Sequence, residues 1–285
     1  LALNNFELNY QEIVREALKE DIGSGDVTTE ALITKDQRAR ARLIAKQKLV
    51  LAGIDVAREA FRQLDGDINW QAKHNDGAEL SAGEIVAEVE GRMRALLTAE
   101  RTALNFLQRL SGIATLTAKH VALLKPHKTK LKDTRKTTPG LRQLEKYAVS
   151  CGGGVNHRLG LYDGILIKDN HITFTGGITR AVKLARQKAP AGWPIEIEAQ
   201  TLSQVNEALS VGVEKIMLDN MDPATLYQAV RLIAGRAEIE VSGGITAANI
   251  IEIAKLGVDY VSLGELTHSA PAVDIHMLSV EAKAI

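Results

Sequence analysis

Apolar residues recur at two spacings in the first third of the chain. Between Tyr10 and Lys19, the residues Ile13, Val14, Ala17 and Leu18 fall at helical spacing, and Gly23-Ser24-Gly25-Asp26 supplies the turn that ends the helix. Residues 39–52, 68–73 and 85–89 instead alternate as strands do between Gly/Asp turns, with a helix over 55–64. This part reads as α+β and not as repeated βα units. A helix over 96–110, carried by Leu97, Leu104, Phe106, Leu107 and Leu110, continues past Gly112 to Leu124 and bridges to the second half of the chain. Beyond it, short apolar runs alternate with helical segments: Leu131, Ile165-Leu166-Ile167, Ile195 to Glu198, Ile216 to Asp219, Ile239 to Ser242 and Val261 to Gly264. That alternation predicts a parallel sheet closed, or nearly closed, into a βα barrel.

Length and composition agree with two domains. The chain has 285 residues, 45% of them apolar, enough for a full core. Lys+Arg and Asp+Glu both number 35, so no global field attracts nucleic acid and any positive potential must be local. The single cysteine, Cys151, excludes an intramolecular disulfide framework and fits a reducing compartment, which makes the cytoplasm the expected location. No apolar run approaches the roughly 20 residues that span a bilayer, so no membrane partner is expected. Leu1 to Glu7 lacks the basic-then-apolar pattern of a leader peptide. Asp76 to Leu80 and Gly83 to Ala87 resemble the hairpins of lipoyl- and biotin-carrier domains, but no lysine lies at the tip, so a structural hairpin is the expectation.

The chemistry sits at the strand ends. In order these give Arg135/Lys136, Lys168, Glu196/Glu198, Asp219, Ser242-Gly243-Gly244 and Gly264. In a parallel barrel all converge on one mouth. Arg135, Lys136, His157, Arg158 and Lys168 placed together would repel unless an anion sits among them, so the mouth reads as a polyanion site. Glu196 and Glu198 share one face of their strand, and Asp219 ends the next. Such carboxylates suit ribose hydroxyls, a Mg²⁺ ion, a developing cation or an internal salt bridge. The glycine turns at 243–244 and 264 precede helical segments, expected from Ala247 in the first case, and allow close approach of backbone N–H groups to phosphate. Two other readings stay open here: Lys168 as a Schiff-base nucleophile, as in an aldolase, and His157 as a core histidine.

Taken with their spacing, Asp133 to Thr137, Asn156 to Leu161, Leu166 to His171, Met217 to Asn220, Val241 to Gly244 and Gly264 to Ser269 resemble the quinolinate phosphoribosyltransferase family. The likeness extends to Glu20 to Asp26 and Glu100 to Asn105, and so covers nearly the whole chain. The resemblance implies an α/β sandwich domain over residues 1–112, on which 271–285 packs back, and a seven-stranded (β/α) barrel-like domain over 113–270. It implies that Arg101, Arg135, His157, Arg158 and Lys168 hold a pyridine dicarboxylate, with Arg101 supplied by the second subunit of a homodimer. Lys136, Glu198 and Asp219 attend phosphoribosyl pyrophosphate and its Mg²⁺ as the catalytic set, with Glu198 and Asp219 as metal ligands, and Ser242, Gly243, Gly244 and Gly264 hold phosphate. The reaction implied joins quinolinate and phosphoribosyl pyrophosphate into nicotinate mononucleotide with release of pyrophosphate and CO₂, a step of NAD biosynthesis. Two departures stand out: Gln200, at or beside a position where relatives commonly carry an acid, and Glu265, where many have alanine.

Overall fold

The computed structural model describes residues 9–283; Leu1 to Glu7, where no leader pattern is read, lie outside them. The chain opens with α1 (Gln11–Ile22) and α2 (Val27–Leu32), then β1 (Arg38–Ala45), β2 (Leu49–Val50), α3 (Ile54–Leu64), β3 (Asn69–Ala72), β4 (Glu79–Leu80), β5 (Ile85–Arg92) and α4 (Met93–Leu124). Strands and helices then alternate: β6 (Lys130–Lys132), α5 (Arg142–Cys151), β7 (Ile165–Ile167), α6 (Asp169–Thr175), α7 (Ile178–Lys188), β8 (Ile195–Ala199) and α8 (Leu202–Ser210). Next come β9 (Lys215–Asp219), α9 (Pro223–Ile233), β10 (Glu238–Ser242), α10 (Ile250–Lys255), β11 (Tyr260–Ser262), α11 (Glu265–His268) and β12 (Ile275–Lys283).

Contacts divide the chain into two units: one runs to Ala118 and adds Thr137–Gly153 and the segment from Glu265 onward, and the other comprises Lys119–Lys136 and Gly154–Gly264. In the first unit, β12, β1, β5 and β3 form an antiparallel sheet in that order. Strand β1 alternates strictly: Ala39, Ala41, Leu43 and Ala45 are buried, while Arg40 and Arg42 reach Glu88 on β5 at 2.6 and 2.8 Å. Hydrogen bonds from Lys73, Arg42 and Arg40 draw the pKa of the Glu88 carboxyl down to about 2. The apolar stripe of α4 (Leu96, Leu104, Leu107, Leu110, Ile113) is almost fully buried, each leucine contributing about 2 kcal/mol. Helix α4 runs unbroken through Gly112, whose lack of a side chain is required: a Cβ there would stand 2.1 Å from the carbonyl oxygen of Pro271.

Three details of this unit depart from the sequence reading. The hairpin expected over residues 76–89 does not form: β4 pairs with β2, whereas β5 lies between β1 and β3. The turn at Gly23 to Asp26 leads directly into α2, because the Asp26 carboxylate caps it by accepting the Thr29 N–H at 2.9 Å. Residues 137–153, read as part of the barrel, group with the first unit; there Glu145 of α5 is fully buried and accepts from Arg109 of α4 at 3.0 Å.

The second unit is a six-stranded parallel sheet in the order β6-β11-β10-β9-β8-β7, flanked by helices, as a barrel-like domain requires. The seventh strand of the expectation is reduced to one parallel bridge between Lys132 and Val155. Three glycines precede Val155, and Asn156 and His157 turn to Asp133 instead, which accepts their N–H groups at 2.7 Å each. Among the described residues, no helix is long and apolar enough to cross a membrane.

Candidate active site

The register of the second sheet sets which residues share its inner face. Glu198 of β8 lies opposite Met217 of β9, Met217 opposite Glu240 of β10, and Glu240 opposite Tyr260 of β11; one pleat repeat further, Asp219, Ser242, Ser262 and Lys132 align in the same way. The intervening residues Ile195, Ile197, Ile216, Leu218, Ile239 and Val241 are buried on the opposite face. So the strands are apolar outward and charged inward. The inner charges are at successive C-terminal strand ends, where barrels carry their chemistry.

They open on a cavity of about 330 Å³. Arg135, Lys136, His157, Arg158 and Lys168 line it together with Glu198, Asp219, Glu240 and Ser242. Of the strand-end and glycine positions singled out in the sequence, Glu196, Gly243, Gly244 and Gly264 are not among its lining residues, and neither is Arg101. Gly243 and Gly244 form the turn after β10 with φ of +86° and +63°, and a Cβ on Gly243 would lie 2.1 Å from Asn220 Oδ1. Asn249 secures this turn by donating to the Gly244 carbonyl and accepting from the Thr246 N–H, so α10 starts at Ile250 and not at Ala247. Gly264 follows β11, and Arg101 is an exposed residue of α4 in the first unit.

Electrostatically the cavity differs from the sequence expectation. The cations do not face one another alone: Lys168 Nζ is 3.1 Å from Glu198 Oε1, and carboxylates of Asp219, Glu196 and Glu240 are interleaved with the rest. An ammonium held in that ion pair is a poor Schiff-base nucleophile, which disfavours the aldolase reading. Two arginine donors remain unmatched. The Nε atoms of Arg135 and Arg158 are buried with no hydrogen-bond partner among the described residues, although Arg158 also donates through its terminal nitrogen to the Gly164 carbonyl at 3.0 Å. Burial, then the charge of Arg135, lowers the Arg158 pKa from its ordinary value. Two buried guanidinium donors without a protein acceptor, both positively charged, make a site suited to an anion.

Asp219 has a separate environment. Asn220, held at φ 53°, donates through its side-chain amide to Asp219 Oδ2 at 2.9 Å, and Gln200 does so at 3.4 Å. The departure at Gln200 therefore places an amide donor beside Asp219. Glu198 and Asp219 offer hard oxygen donors on adjacent parallel strands, the donor chemistry that Mg²⁺ takes.

Sequence reasoning missed Lys132 and Glu240. Lys132 Nζ lies 2.5 Å from Glu240 Oε2 and 3.7 Å from the centre of the Tyr260 ring, and both charged groups are buried. His157 Nε2 stands 3.1 Å from Glu196 Oε2 and 3.7 Å from Glu240 Oε1. Burial opposes ionisation of Glu196, but the hydrogen bond and charge of His157 outweigh it and keep the carboxyl below its ordinary range. Burial and the Glu196 charge push Glu240 the other way, above it. The signal in the sequence was a charge at every second position of otherwise apolar strands.

Two family models cover most of the chain: the N-terminal domain of quinolinate phosphoribosyl transferase matches residues 26–111 and the C-terminal domain residues 113–278. The chain is 45% identical over 270 residues to the probable nicotinate-nucleotide pyrophosphorylase [carboxylating] of Bacillus subtilis, covering 95% of this chain and 93% of that protein. It is 39% identical to quinolinate phosphoribosyltransferase [decarboxylating] 1b of Nicotiana tabacum, covering 93% and 81%. The crystal structure of NadC from Streptococcus pyogenes superposes with a TM-score of 0.92 at 42% identity, over 98% of this chain and 100% of that one.

Proposed function

Because this chain belongs to the quinolinate phosphoribosyltransferase family, we propose that it transfers the phosphoribosyl group of phosphoribosyl pyrophosphate to quinolinate with loss of CO₂, giving nicotinate mononucleotide and pyrophosphate. The observation that carries the reading on this chain's own residues is one cavity lined by two kinds of group: the unmatched Arg135 and Arg158 donors, and the carboxylates Glu198 and Asp219. Arg135, Arg158 and Lys168 hold the two carboxylates of quinolinate, and His157 belongs to the same set. Lys136, exposed at the rim, takes pyrophosphate, with Ser242, Gly243, Gly244 and Gly264 lining the phosphate path.

The bond between ribose C1 and the pyrophosphate oxygen breaks with its electron pair leaving on pyrophosphate. Glu198 and Asp219 stabilise the positive charge that develops on C1. The pyridine nitrogen lone pair then forms the new bond to C1, so no general base is needed at nitrogen. The ring, now cationic, accepts the electron pair of the C2–carboxylate bond as CO₂ leaves, and C2 takes up a proton. Glu198 and Asp219 would hold Mg²⁺, which when bound neutralises the leaving pyrophosphate. Asn220 and Gln200 orient Asp219 for this by donating to one of its oxygens.

The protein acts as a homodimer in this reading, with Arg101 of one subunit completing the cavity of the other. An exposed arginine on α4, absent from the lining of its own chain's cavity, supports that role. A reducing, cytoplasmic setting accords with the lone Cys151 thiol, whose burial pushes its pKa up to about 12.

The test is to incubate the protein with quinolinate, phosphoribosyl pyrophosphate and Mg²⁺ and to follow CO₂ and mononucleotide together. They should appear in equal amounts. Nicotinic acid, lacking the 2-carboxylate, should react roughly 10⁴-fold less efficiently, because a site built around a polar group is left unpaired without it. Comparable turnover of nicotinic acid, or mononucleotide without CO₂, would overturn the assignment.

A further inference from the structure

From the lining of the cavity runs a chain of charged groups of which Lys132, Glu240 and Glu196 have no part in the transfer reaction as proposed. It begins at Lys132 on β6, whose ammonium packs on the Tyr260 ring and pairs with Glu240 across strand β11 at 2.5 Å. Glu240 and Glu196 then flank Nε2 of His157, at 3.7 and 3.1 Å. The other ring nitrogen, Nδ1, accepts the main-chain N–H of Arg158 at 2.8 Å. With Nδ1 acting as acceptor, the ring proton is assigned to Nε2, which lies within ion-pair distance of both carboxylates. One ring nitrogen is therefore held by a hydrogen bond and the other faces two charged neighbours. The main chain of His157 is tied as well, since its N–H donates to Asp133, the neighbour of Lys132, at 2.7 Å.

Each link fixes the next. Rotation of the His157 ring would break its contact with Glu196 and its bond to the Arg158 N–H at once. Arg158 is the residue whose guanidinium carries a buried, unmatched Nε beside the cavity. We propose that Lys132 and Glu240 are positioning residues for the aromatic dicarboxylate: they lock the His157 ring, and through it the main chain of Arg158, so that the Arg158 guanidinium is held ready for a substrate carboxylate.

The proposal rests on the substrate reading above. It differs from a purely structural role, because a buried ion pair that merely supports the fold can be exchanged for apolar side chains without loss and often with gain in stability. Positioning cannot be exchanged in that way.

Three variants separate the two: Lys132→Met, Glu240→Gln and the double Lys132→Met/Glu240→Leu. Quinolinate binding is measured by titration calorimetry without the second substrate, KM for phosphoribosyl pyrophosphate by steady-state kinetics, and stability by thermal unfolding. The single Lys132→Met protein should be destabilised by its unpaired buried carboxylate, and the double variant should recover melting temperature. Its quinolinate affinity should nevertheless remain weaker by about tenfold, the scale of loss when a group that supports a ligating residue is removed. KM for phosphoribosyl pyrophosphate should stay within about twofold of wild type. Lys132→Arg, which keeps the charge, should restore most of the quinolinate affinity.

A double variant that melts like wild type and binds quinolinate like wild type overturns the proposal, and so does a parallel loss for both substrates. If the double variant does not fold, Glu240→Gln decides: it keeps the shape and removes the charge, and unchanged quinolinate affinity overturns the proposal again. Wild-type protein that binds no quinolinate would overturn the substrate reading and this proposal with it, whereas failure confined to the variants leaves that reading intact.

Discussion

Replacing Arg135 with methionine should move binding and stability in opposite directions. The substitution keeps most of the apolar stem and removes the guanidinium, whose Nε is buried without an acceptor and whose charge, after burial itself, is the larger cause of the lowered Arg158 pKa. In the free protein Arg135 is thus a cost. A lowered arginine pKa means that the fold disfavours the charged form of Arg158, and that penalty applies at every pH below the folded value, hence throughout the neutral range. Removing Arg135 relieves its share of that penalty and leaves the larger share from burial, so the ligand-free protein should melt at the same temperature or slightly higher. Binding should suffer. A charge-assisted hydrogen bond to a carboxylate is worth about 2 kcal/mol, which weakens quinolinate binding roughly thirtyfold. In the simple linkage limit, the stabilisation given by a fixed excess of quinolinate should then shrink by nearly the same amount. Calorimetric titration and melting curves with and without quinolinate measure both arms. A variant that loses ligand-free stability but binds quinolinate normally would refute the argument, since Arg135 would then be a structural residue.

Glu198→Ala and Asp219→Ala should each lower kcat far more than quinolinate affinity, because the role proposed for them is at the sugar in the transition state; the Glu198 variant, which frees Lys168 from its 3.1 Å ion pair, should bind quinolinate as well as wild type or better. Single-turnover kinetics alongside equilibrium titration check this. Gly243→Ala forces a side chain onto a backbone at φ +86° and against Asn220, a strain of roughly 1–2 kcal/mol, so KM for phosphoribosyl pyrophosphate should rise while quinolinate affinity holds. In the proposed homodimer with Arg101 acting across the interface, Arg101→Ala and Glu198→Ala proteins should each be nearly inactive and on random reassociation regain roughly a quarter of wild-type activity, since half the dimers would be mixed and one cavity in two of those would carry neither lesion. Demonstrated heterodimers without activity would show that Arg101 acts within its own chain or outside the site.

Strand and helix periods were legible where one face of an element is apolar. The run Ile195-Glu196-Ile197-Glu198 declares a strand, and Ile13, Val14, Ala17 and Leu18 a helix, because burial leaves its mark on the chain at a fixed spacing. Pairing partners were less legible. Residues 79–80 and 85–89 look like two arms of a hairpin, yet β4 joins β2 and β5 joins β1, a choice made by contacts between segments distant along the chain. The helix α5 went unread because its helical turns carry Glu145 and Lys146, which look like solvent-facing charges and are in fact fully buried.

Side-chain partners in the site were hidden for the same reason. A sequence shows that charges occur at strand ends, but not which of them meet. Counting the cations alone suggested that only a bound anion could hold them together. Register supplies what the count omits: β11 sets Lys132 beside Glu240, residues 108 positions apart, while β8 carries Glu198 to Lys168 and Glu196 to His157. Lys132, His157 and Lys168 are thereby answered from within. The case for an anionic substrate becomes narrower and also stronger, because it now rests on two buried guanidinium donors that the fold leaves unmatched, and those two name the residues whose removal must weaken binding first.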